Sequence, residues 1–376
     1  MAPLTILRER GEAAASSQKN NGTRLAFIDW TRGFAAVIML QGHVFDSFTR
    51  TDLRTQGSFL FSQFLGGLPP AIFLFLTGIT FAFMMHREER RTTSGWQRIF
   101  GALKRSRYLF LIAFLFRIQL YVFGFPTSPA GELLRVDILN CMGMAMLVLA
   151  PMAVFTTAER ARLCAVLGLV IAGLSPLVSM IDTASVPWIV RAYFFPSYNY
   201  FGFFPWGSFL AFGMSAGSVL RIVKQEDLSR TMLWMLSIGI GLGVVTHAFS
   251  NLGYSMYAKS EFWLNSPAMI LMKLAAVLGL MGLAFLWVNS TGPQRWSLFR
   301  QLGTTSLLVY WVHIEIVYGR WLGIWKEALS VQQVLIFTAI LLALMALLSV
   351  WRTRGLPIRS WFRTSSLPEP RRVSGD

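Results

Sequence analysis

The chain has 376 residues, of which 54% are hydrophobic and only 14% are charged. A soluble domain carries about a quarter charged residues, so this composition excludes an ordinary soluble protein and indicates a multi-span membrane protein. The formal net charge of +16 would suit a nucleic-acid partner. The basic residues alternate with apolar segments, however, so we assign them to membrane topology and expect no nucleic-acid binding.

A membrane-spanning helix needs about 20 mostly apolar residues, and the sequence offers ten such segments. In chain order they are 26–46, 60–85, 108–124, 134–156, 161–180, 200–220, 231–250, 267–289, 304–321 and 332–351. With the N-terminus in the cytoplasm, the cytoplasmic segments hold 24 Lys and Arg residues and the opposite loops hold seven. This asymmetry predicts an all-α bundle of ten spans with both termini cytoplasmic, in a bacterial inner membrane.

The same pattern divides the chain into three parts. Residues 1–24 are polar and predict a disordered cytoplasmic tail without a cleaved signal peptide. Residues 25–352 form the transmembrane domain, and 353–376 form a basic cytoplasmic tail. The two cysteines, Cys141 and Cys164, show neither disulfide nor metal-ligand spacing, so we expect no metal.

Ionisable side chains inside the apolar segments are the strongest functional signal. Each costs roughly 2.5–3.5 kcal/mol in hydrocarbon, so each needs a partner, an aqueous cavity or a chemical task. These residues are Asp29, Arg32, His43, Asp46, Arg117, Asp137, Lys273, His313 and Glu315.

The first span carries two pairs of such residues, each at a spacing of three that shares a helix face. Near the outer end, Asp46 can hold the tautomer of His43 and raise its basicity, as in an acid–base dyad. The alternative is an interfacial histidine beside a polar neighbour. Near the inner end, Asp29 and Arg32 are either a structural ion pair or ligand-binding groups.

Arg117 lies too deep in the third span to reach the surface easily, so it requires a carboxylate or phosphate partner. Asp137 is a candidate partner and shares one face of the fourth span with Asn140. A purely structural pairing of Arg117 with Asp137 and a catalytic one are equally open.

His313 lies near the middle of the ninth span, with Tyr310 on the same face and Glu315 directed away from it. A rise of about 1.5 Å per residue places His43 roughly 24 Å from the inner surface and His313 roughly 14 Å. One site containing both histidines therefore requires a tilted helix, or a ninth helix that begins before residue 304. Otherwise the two histidines line different levels of one pore.

The inner loop 86–107 holds seven basic residues. They serve either topology and anionic membrane lipids or a polyphosphate ligand, and the sequence leaves both open.

Four segments resemble the catalytic-domain family of heparan-alpha-glucosaminide N-acetyltransferases, and more loosely the wider membrane sugar acyltransferases. They are RLAFIDWTRGFAAVIMLQGH (24–43), PAIFLFLTG (70–78), VDILNCMG (136–143) and SLLVYWVH (306–313). One departure is Asn140, where the family pattern has Gln. A large lumenal domain also has no counterpart here, so the acceptor need not be heparan sulfate.

The resemblance implies transfer of an acetyl (acyl) group from cytoplasmic acetyl-CoA to an amine or hydroxyl of a sugar or glycan. It implies catalytic residues among His43, Asp46 and His313, without deciding which histidine is the base or whether an acyl-histidine forms. The residues implied in binding CoA or substrate are Asp29, Arg32, Arg117, Asp137, Asn140 and Tyr310.

Two other functions remain open. Ten spans with buried ionisable groups also suit a proton-coupled transporter or a lipid-linked sugar flippase, although the halves show no repeat. The Asn140 departure leaves open a non-catalytic partner that keeps only the scaffold. The sequence does not determine the oligomeric state.

Overall fold

The computed structural model describes residues 3–91, 94–126, 128–251, 256–292 and 295–354, without the side chains of 3–25 and 130. Over these residues the chain is about 80% helical and has no strands, which confirms the predicted all-α helical bundle. The helices are α1 (Pro3–Phe48), α2 (Gly57–Gly66), α3 (Pro69–Glu89), α4 (Gly95–Gly124), α5 (Ile138–Leu149), α6 (Thr157–Ser179), α7 (Trp188–Phe194), α8 (Phe203–Ile222), α9 (Leu228–Ser250), α10 (Pro267–Thr291), α11 (Leu298–Thr304), α12 (Ser306–Tyr318) and α13 (Val331–Arg354).

Within the described residues, eight helical segments are long and apolar enough to cross a membrane. They are Gly57–Glu89, Gly95–Gly124, Gly131–Ala153, Thr157–Ser179, Phe203–Ile222, Leu228–Ser250, Pro267–Thr291 and Val331–Arg354. Each overlaps one predicted span. The first predicted span lies in α1 and the ninth in the short α12, so the ten-span count and the position of the termini stay predictions.

Several predicted bounds differ from the structure. The loop predicted over 86–107 is largely helical, because Ser94 caps α4 in a reciprocal capping box with Gln97 and starts that helix at Gly95. The span predicted over 134–156 is interrupted, because the Asp137 side chain caps α5 and helical geometry begins only at Ile138.

The two predicted tails stay predictions, although the backbone of the first is partly described. The backbone is helical from Pro3, through most of the tail predicted to be disordered. Proline suits the first turn of a helix, and the tail is rich in helix-forming Ala, Glu and Arg. The boundary near residue 25 stays a prediction. At the other end, 353–354 close α13, and the basic tail beyond them lies outside the described residues.

Two groups of buried apolar side chains make up the core. One joins α3, α4, α5, α6, α8, α9 and α10, and the other joins the second half of α1 to α2, α11, α12 and α13. Helix α1 belongs to both, since Phe27 lies in the first group and Leu40 and Val44 lie in the second. The candidate site therefore lies where α1 runs between the two.

Candidate active site

The site is built where α1 lies beside α11 and α12 in a constant register. His43 meets His313 and Ser47 meets Val317, both 270 residues apart, and Gly33 faces Gly303 at the same offset. The two glycines allow this approach, because a Cβ on Gly33 would overlap the Phe299 carbonyl and one on Gly303 would overlap the Asp29 carbonyl. Residues at equal offsets meet along the whole contact, so the two stretches run parallel.

This register resolves the difference in predicted depth between the two histidines. The ninth helical stretch begins at Leu298 rather than at 304, which adds about 9 Å of rise before His313. It is broken only at Thr305, between α11 and α12. His43 and His313 are therefore at one level, and the alternative of two levels in a pore is wrong.

The two imidazoles form a hydrogen-bonded pair. His43 Nδ1 lies 3.0 Å from His313 Nε2, and the two ring planes are 12° from parallel with centroids 5.2 Å apart. His313 Nδ1 lies 2.7 Å from the Val309 carbonyl oxygen, which can only accept, so His313 carries its proton on Nδ1. In the neutral pair, His313 Nε2 then accepts from His43 Nδ1, and His43 Nε2 is left with its lone pair.

Asp46 does not pair with His43 as the spacing predicted. No hydrogen bond or ion pair joins the two among the described residues. The Asp46 carboxylate instead accepts from the Tyr318 hydroxyl at 3.0 Å, and the Tyr318 ring meets the His43 ring edge-on at 5.4 Å. Tyr318 thus lies between the carboxylate and the imidazole. The hydrogen-bond partner of His43 is His313 rather than Asp46.

Arg117 and Asp137 form the predicted ion pair, with Arg117 Nη2 at 3.1 Å from Asp137 Oδ2. Arg117 also reaches Glu132 at 3.5 Å. The other oxygen of Asp137 accepts from the backbone N–H groups of Leu139 and Asn140, at 2.9 and 3.1 Å. Asp137 therefore neutralises the buried arginine and caps a helix at once.

Asn140 is buried among protein groups rather than open to a ligand. Its amide donates to the Arg135 carbonyl at 3.3 Å and accepts from the Tyr193 hydroxyl at 3.3 Å. Asp29 is likewise engaged, in the predicted ion pair with Arg32 at 3.1 Å. Of Asp29, Arg32 and Asn140, only Arg32 lines the main cavity.

Tyr310 and Glu315 lie on different sides of α12. Tyr310 lines the main cavity, packs against Phe116 and His313, and its hydroxyl has no hydrogen-bond partner among the described residues. Glu315 points away from His313, as predicted, and accepts from Gln119 and Trp321.

A cavity of about 1360 Å³ runs along α1 past His43. One end, called here the Arg32 end, is lined by Arg32, Arg87 and Arg105. The other, called the Lys326 end, is lined by Asp46, Glu132, Arg135, Tyr318, Arg320 and Lys326. Along α1 the two ends are about 21 Å apart, and His43 lies about 16 Å from the Arg32 end.

Of the residues at the Lys326 end, only Asp46 was found from the sequence; three of the others, Tyr318, Arg320 and Lys326, lie close together in the chain. Tyr318 follows His313 by five residues, a spacing that does not share a helix face, and the two cations lie in a loop. Burial lowers the pKa of Lys326. Only the fold of the segment 319–330 over the end of α1 brings these three to the cavity.

The fold and the cavity define a multi-pass integral membrane protein with polar chemistry enclosed in its helical bundle. The sequence model of the catalytic region of heparan-alpha-glucosaminide N-acetyltransferase matches residues 24–243, more than half of the chain, so the protein belongs to that family. Membership makes it a transferase of the membrane acetyltransferase type. A search of curated proteins found no match.

The matched range contains His43, Asp46, Arg117 and Asp137 but ends before His313. The family model therefore does not cover His313, which the fold brings to His43.

Proposed function

We propose that the protein transfers an acetyl (acyl) group from acyl-CoA to an amine or hydroxyl of a sugar or glycan, in a bacterial inner membrane. The observation that supports this most is the hydrogen-bonded pair of His43 and His313. His43 lines a cavity that has basic side chains at both ends. Family membership supports the same class of reaction.

The Arg32 end suits the nucleotide of the donor. Three guanidinium groups line it, and guanidinium is the side-chain group that best matches phosphate oxygens. From there to His43 is about 16 Å along α1, a length of the same order as an extended pantetheine arm. We expect the thioester to lie beside His43 when the CoA phosphates bind this end.

His43 is proposed as the general base. Its Nε2 takes the proton from the acceptor hydroxyl or amine while that atom attacks the thioester carbonyl carbon. The carbon–sulfur bond then breaks and the proton passes to the sulfur, which leaves an acylated sugar and free CoA thiol. His313 keeps the tautomer of His43 and accepts from its Nδ1–H, which stabilises the imidazolium between the two transfers.

Tyr310 and Asp46 are proposed to hold the reacting molecules. The Tyr310 hydroxyl can donate to the thioester oxygen as negative charge develops there. Asp46, fixed by Tyr318, can accept from the sugar beside His43. In this account Arg117 and Asp137 are structural, since each neutralises the other.

The test is release of free CoA thiol from acetyl-CoA by the purified protein with a panel of amino sugars and glycosides. We expect His43→Ala to lose the activity and His313→Ala to be strongly impaired. His247→Ala is the matched control, since His247 is exposed at the end of α9 and we expect that variant to keep wild-type activity. Full activity in His43→Ala would contradict the mechanism.

A transporter would behave differently in the same preparation. Substrate counterflow in liposomes without acyl-CoA, together with no thiol release, would replace the transferase proposal by the carrier alternative.

A further inference from the structure

A second cavity, an apolar groove of about 400 Å³, lies on the opposite face of α1 from His43. It is walled by α1, α2 and α13 and lined by Val37, Ile38, Gln41, Phe45, Ser58, Phe61, Ser62, Leu65, Val331 and Leu335. Its main polar feature is a hydrogen bond from Gln41 to Ser62. Phe61 and Leu335 are more than half exposed, so the groove opens towards the surrounding bilayer.

The groove and the main cavity flank the end of α1 from opposite faces. Phe45 lines the groove and the next residue, Asp46, lines the cavity. The segment 319–330 crosses this point, held by hydrogen bonds from Glu327 N to the Ser47 carbonyl at 3.1 Å and from Leu329 N to the Phe48 carbonyl at 2.9 Å. Lys326 lines the cavity just before this crossing, and Val331 lines the groove just after it. A molecule that occupied both would cross the segment 319–330, called here the rim.

Two cations stand at this rim without a carboxylate. Among the described residues, no acidic group lies within ion-pair distance of Arg320 or Lys326. Arg320 donates to the Phe125 carbonyl at 3.0 Å, and Lys326 donates to the Tyr318 carbonyl at 2.8 Å. Glu327, the nearest acid in sequence, pairs with Arg54 at 3.2 Å. The rim therefore has positive charge available for an anionic ligand.

We propose that the acceptor is a lipid-linked saccharide, a sugar joined through phosphate to a long apolar chain. The chain lies in the groove along α1, from Phe45 to Val37, a length of about 12 Å. The phosphate lies between Arg320 and Lys326, and the sugar enters the cavity towards His43. This inference rests on the proposed acyl transfer and adds the chemical class of its acceptor.

The first experiment compares three acceptors with one sugar head. They are an amino sugar on a polyprenyl phosphate, the same sugar as its 1-phosphate, and its methyl glycoside, each given with acetyl-CoA to the full-length protein in nanodiscs. We expect kcat/KM to fall in that order, by about tenfold or more at the loss of the chain, since only the first acceptor carries a chain that can lie in the groove. Equal values for all three would overturn the inference.

The second experiment fills the groove. Leu335→Trp, on the groove wall, should lower the ratio of kcat/KM for the polyprenyl acceptor to that for the methyl glycoside about tenfold. Leu347→Trp is the matched control, because Leu347 is 66% exposed on the same helix and does not line the groove. The same fall in ratio for both variants, or for neither, would contradict the proposed site.

A binding measurement separates failure of this inference from failure of the proposed function. Polyprenyl phosphate alone, without donor, should raise the Tm of the wild type and not that of Leu335→Trp. An equal rise with phosphatidylglycerol would show a site for bulk lipid only and would overturn the inference. Absence of thiol release with every acceptor would refute the acyl transfer, and the Tm measurement would still decide whether the groove binds a lipid phosphate.

Discussion

His313 decides which nitrogen of His43 can act as a base. A backbone carbonyl four residues back in α12 accepts a hydrogen bond from the protonated Nδ1 of His313, and this leaves His313 Nε2 as an acceptor. His43 must then donate from Nδ1 and keep its lone pair on Nε2. A backbone group on one helix thus sets the protonation of a ring on another, without any carboxylate in contact with either ring.

The first prediction separates the two histidines by the size of their effects. His43→Ala removes the proposed base and should lower kcat by about 10²–10⁴, the usual range for general acid–base catalysis. His313→Asn removes the partner while leaving the base, so we expect a smaller loss, about 10- to 100-fold, and a shifted pH–rate profile. The measurement is thiol release across pH. An unchanged profile in His313→Asn would indicate a role in packing alone.

A second prediction concerns the buried ion pair of Arg117 and Asp137, whose side chains are 11% and 7% exposed. Arg117→Ala should destabilise the protein by about 3–5 kcal/mol, because it leaves a buried carboxylate without its partner. Adding Asp137→Asn should recover part of this loss, since Asn is a good helix cap and carries no charge. Thermal unfolding of the two variants measures both effects. No recovery in the double variant would show that the loss of stability comes from lost packing rather than from the unpaired charge.

At the scale of helices, the site depends on one close contact. Gly33 and Gly303 let the backbones of α1 and α11 approach closely. Because the two stretches keep the same register, His43 and His313, ten residues further along, also lie side by side. A side chain at the glycine contact would therefore act on the imidazole pair from about 15 Å away.

The third prediction tests whether the imidazole pair depends on this glycine contact. Gly303→Ala places a methyl group in the Asp29 carbonyl, so α11 must move away from α1. We expect the variant to lose most transferase activity and to unfold at a lower temperature. Gly101→Ala is the control, because its Cβ meets open space inside α4 and should stabilise that helix by about 0.5–1 kcal/mol. Wild-type activity in Gly303→Ala would show that the register is not needed.

At the scale of the whole molecule, the cavity joins regions that the charge pattern places on opposite sides of the membrane. The Arg32 end lies beside the start of α4, where basic residues are dense, and the Lys326 end lies beside the last loop. In this arrangement, the acyl donor and the acceptor of the proposed reaction can reach the cavity from opposite sides of the membrane.

The fourth prediction concerns this sidedness. The native cysteines are almost fully buried, so single cysteines introduced at exposed positions give a clean signal with a membrane-impermeant maleimide. Arg90→Cys should react only in inverted vesicles and Lys259→Cys only in right-side-out vesicles. Labelling of both from one side would refute the ten-span topology.

Much of the general architecture follows from the sequence. A chain that is 54% hydrophobic and 14% charged is not typical of a soluble protein, and eight of its ten predicted apolar segments overlap the eight long apolar helices among the described residues. The Arg117–Asp137 pair was also predictable, because a charge deep in hydrocarbon requires an opposite charge.

The site residues named from the sequence stay predictions, and the sequence did not indicate which of them lie in contact. Spacing paired His43 with Asp46, since residues three apart share a helix face, but Tyr318 holds the carboxylate and His313 meets the imidazole. Helical periodicity describes neighbours on one helix and carries no information on contacts made 270 residues apart.

The sequence by itself therefore determined that this protein lies in a lipid bilayer, because transfer from water to lipid depends on composition. It also determined that the charges buried there must be neutralised. What only the tertiary structure decided is which groups meet. The glycine contact sets the register of α1 with α11 and α12, and the segment 319–330 folds back over the end of α1. Both depend on how whole helices pack against each other, which no local pattern of residues encodes.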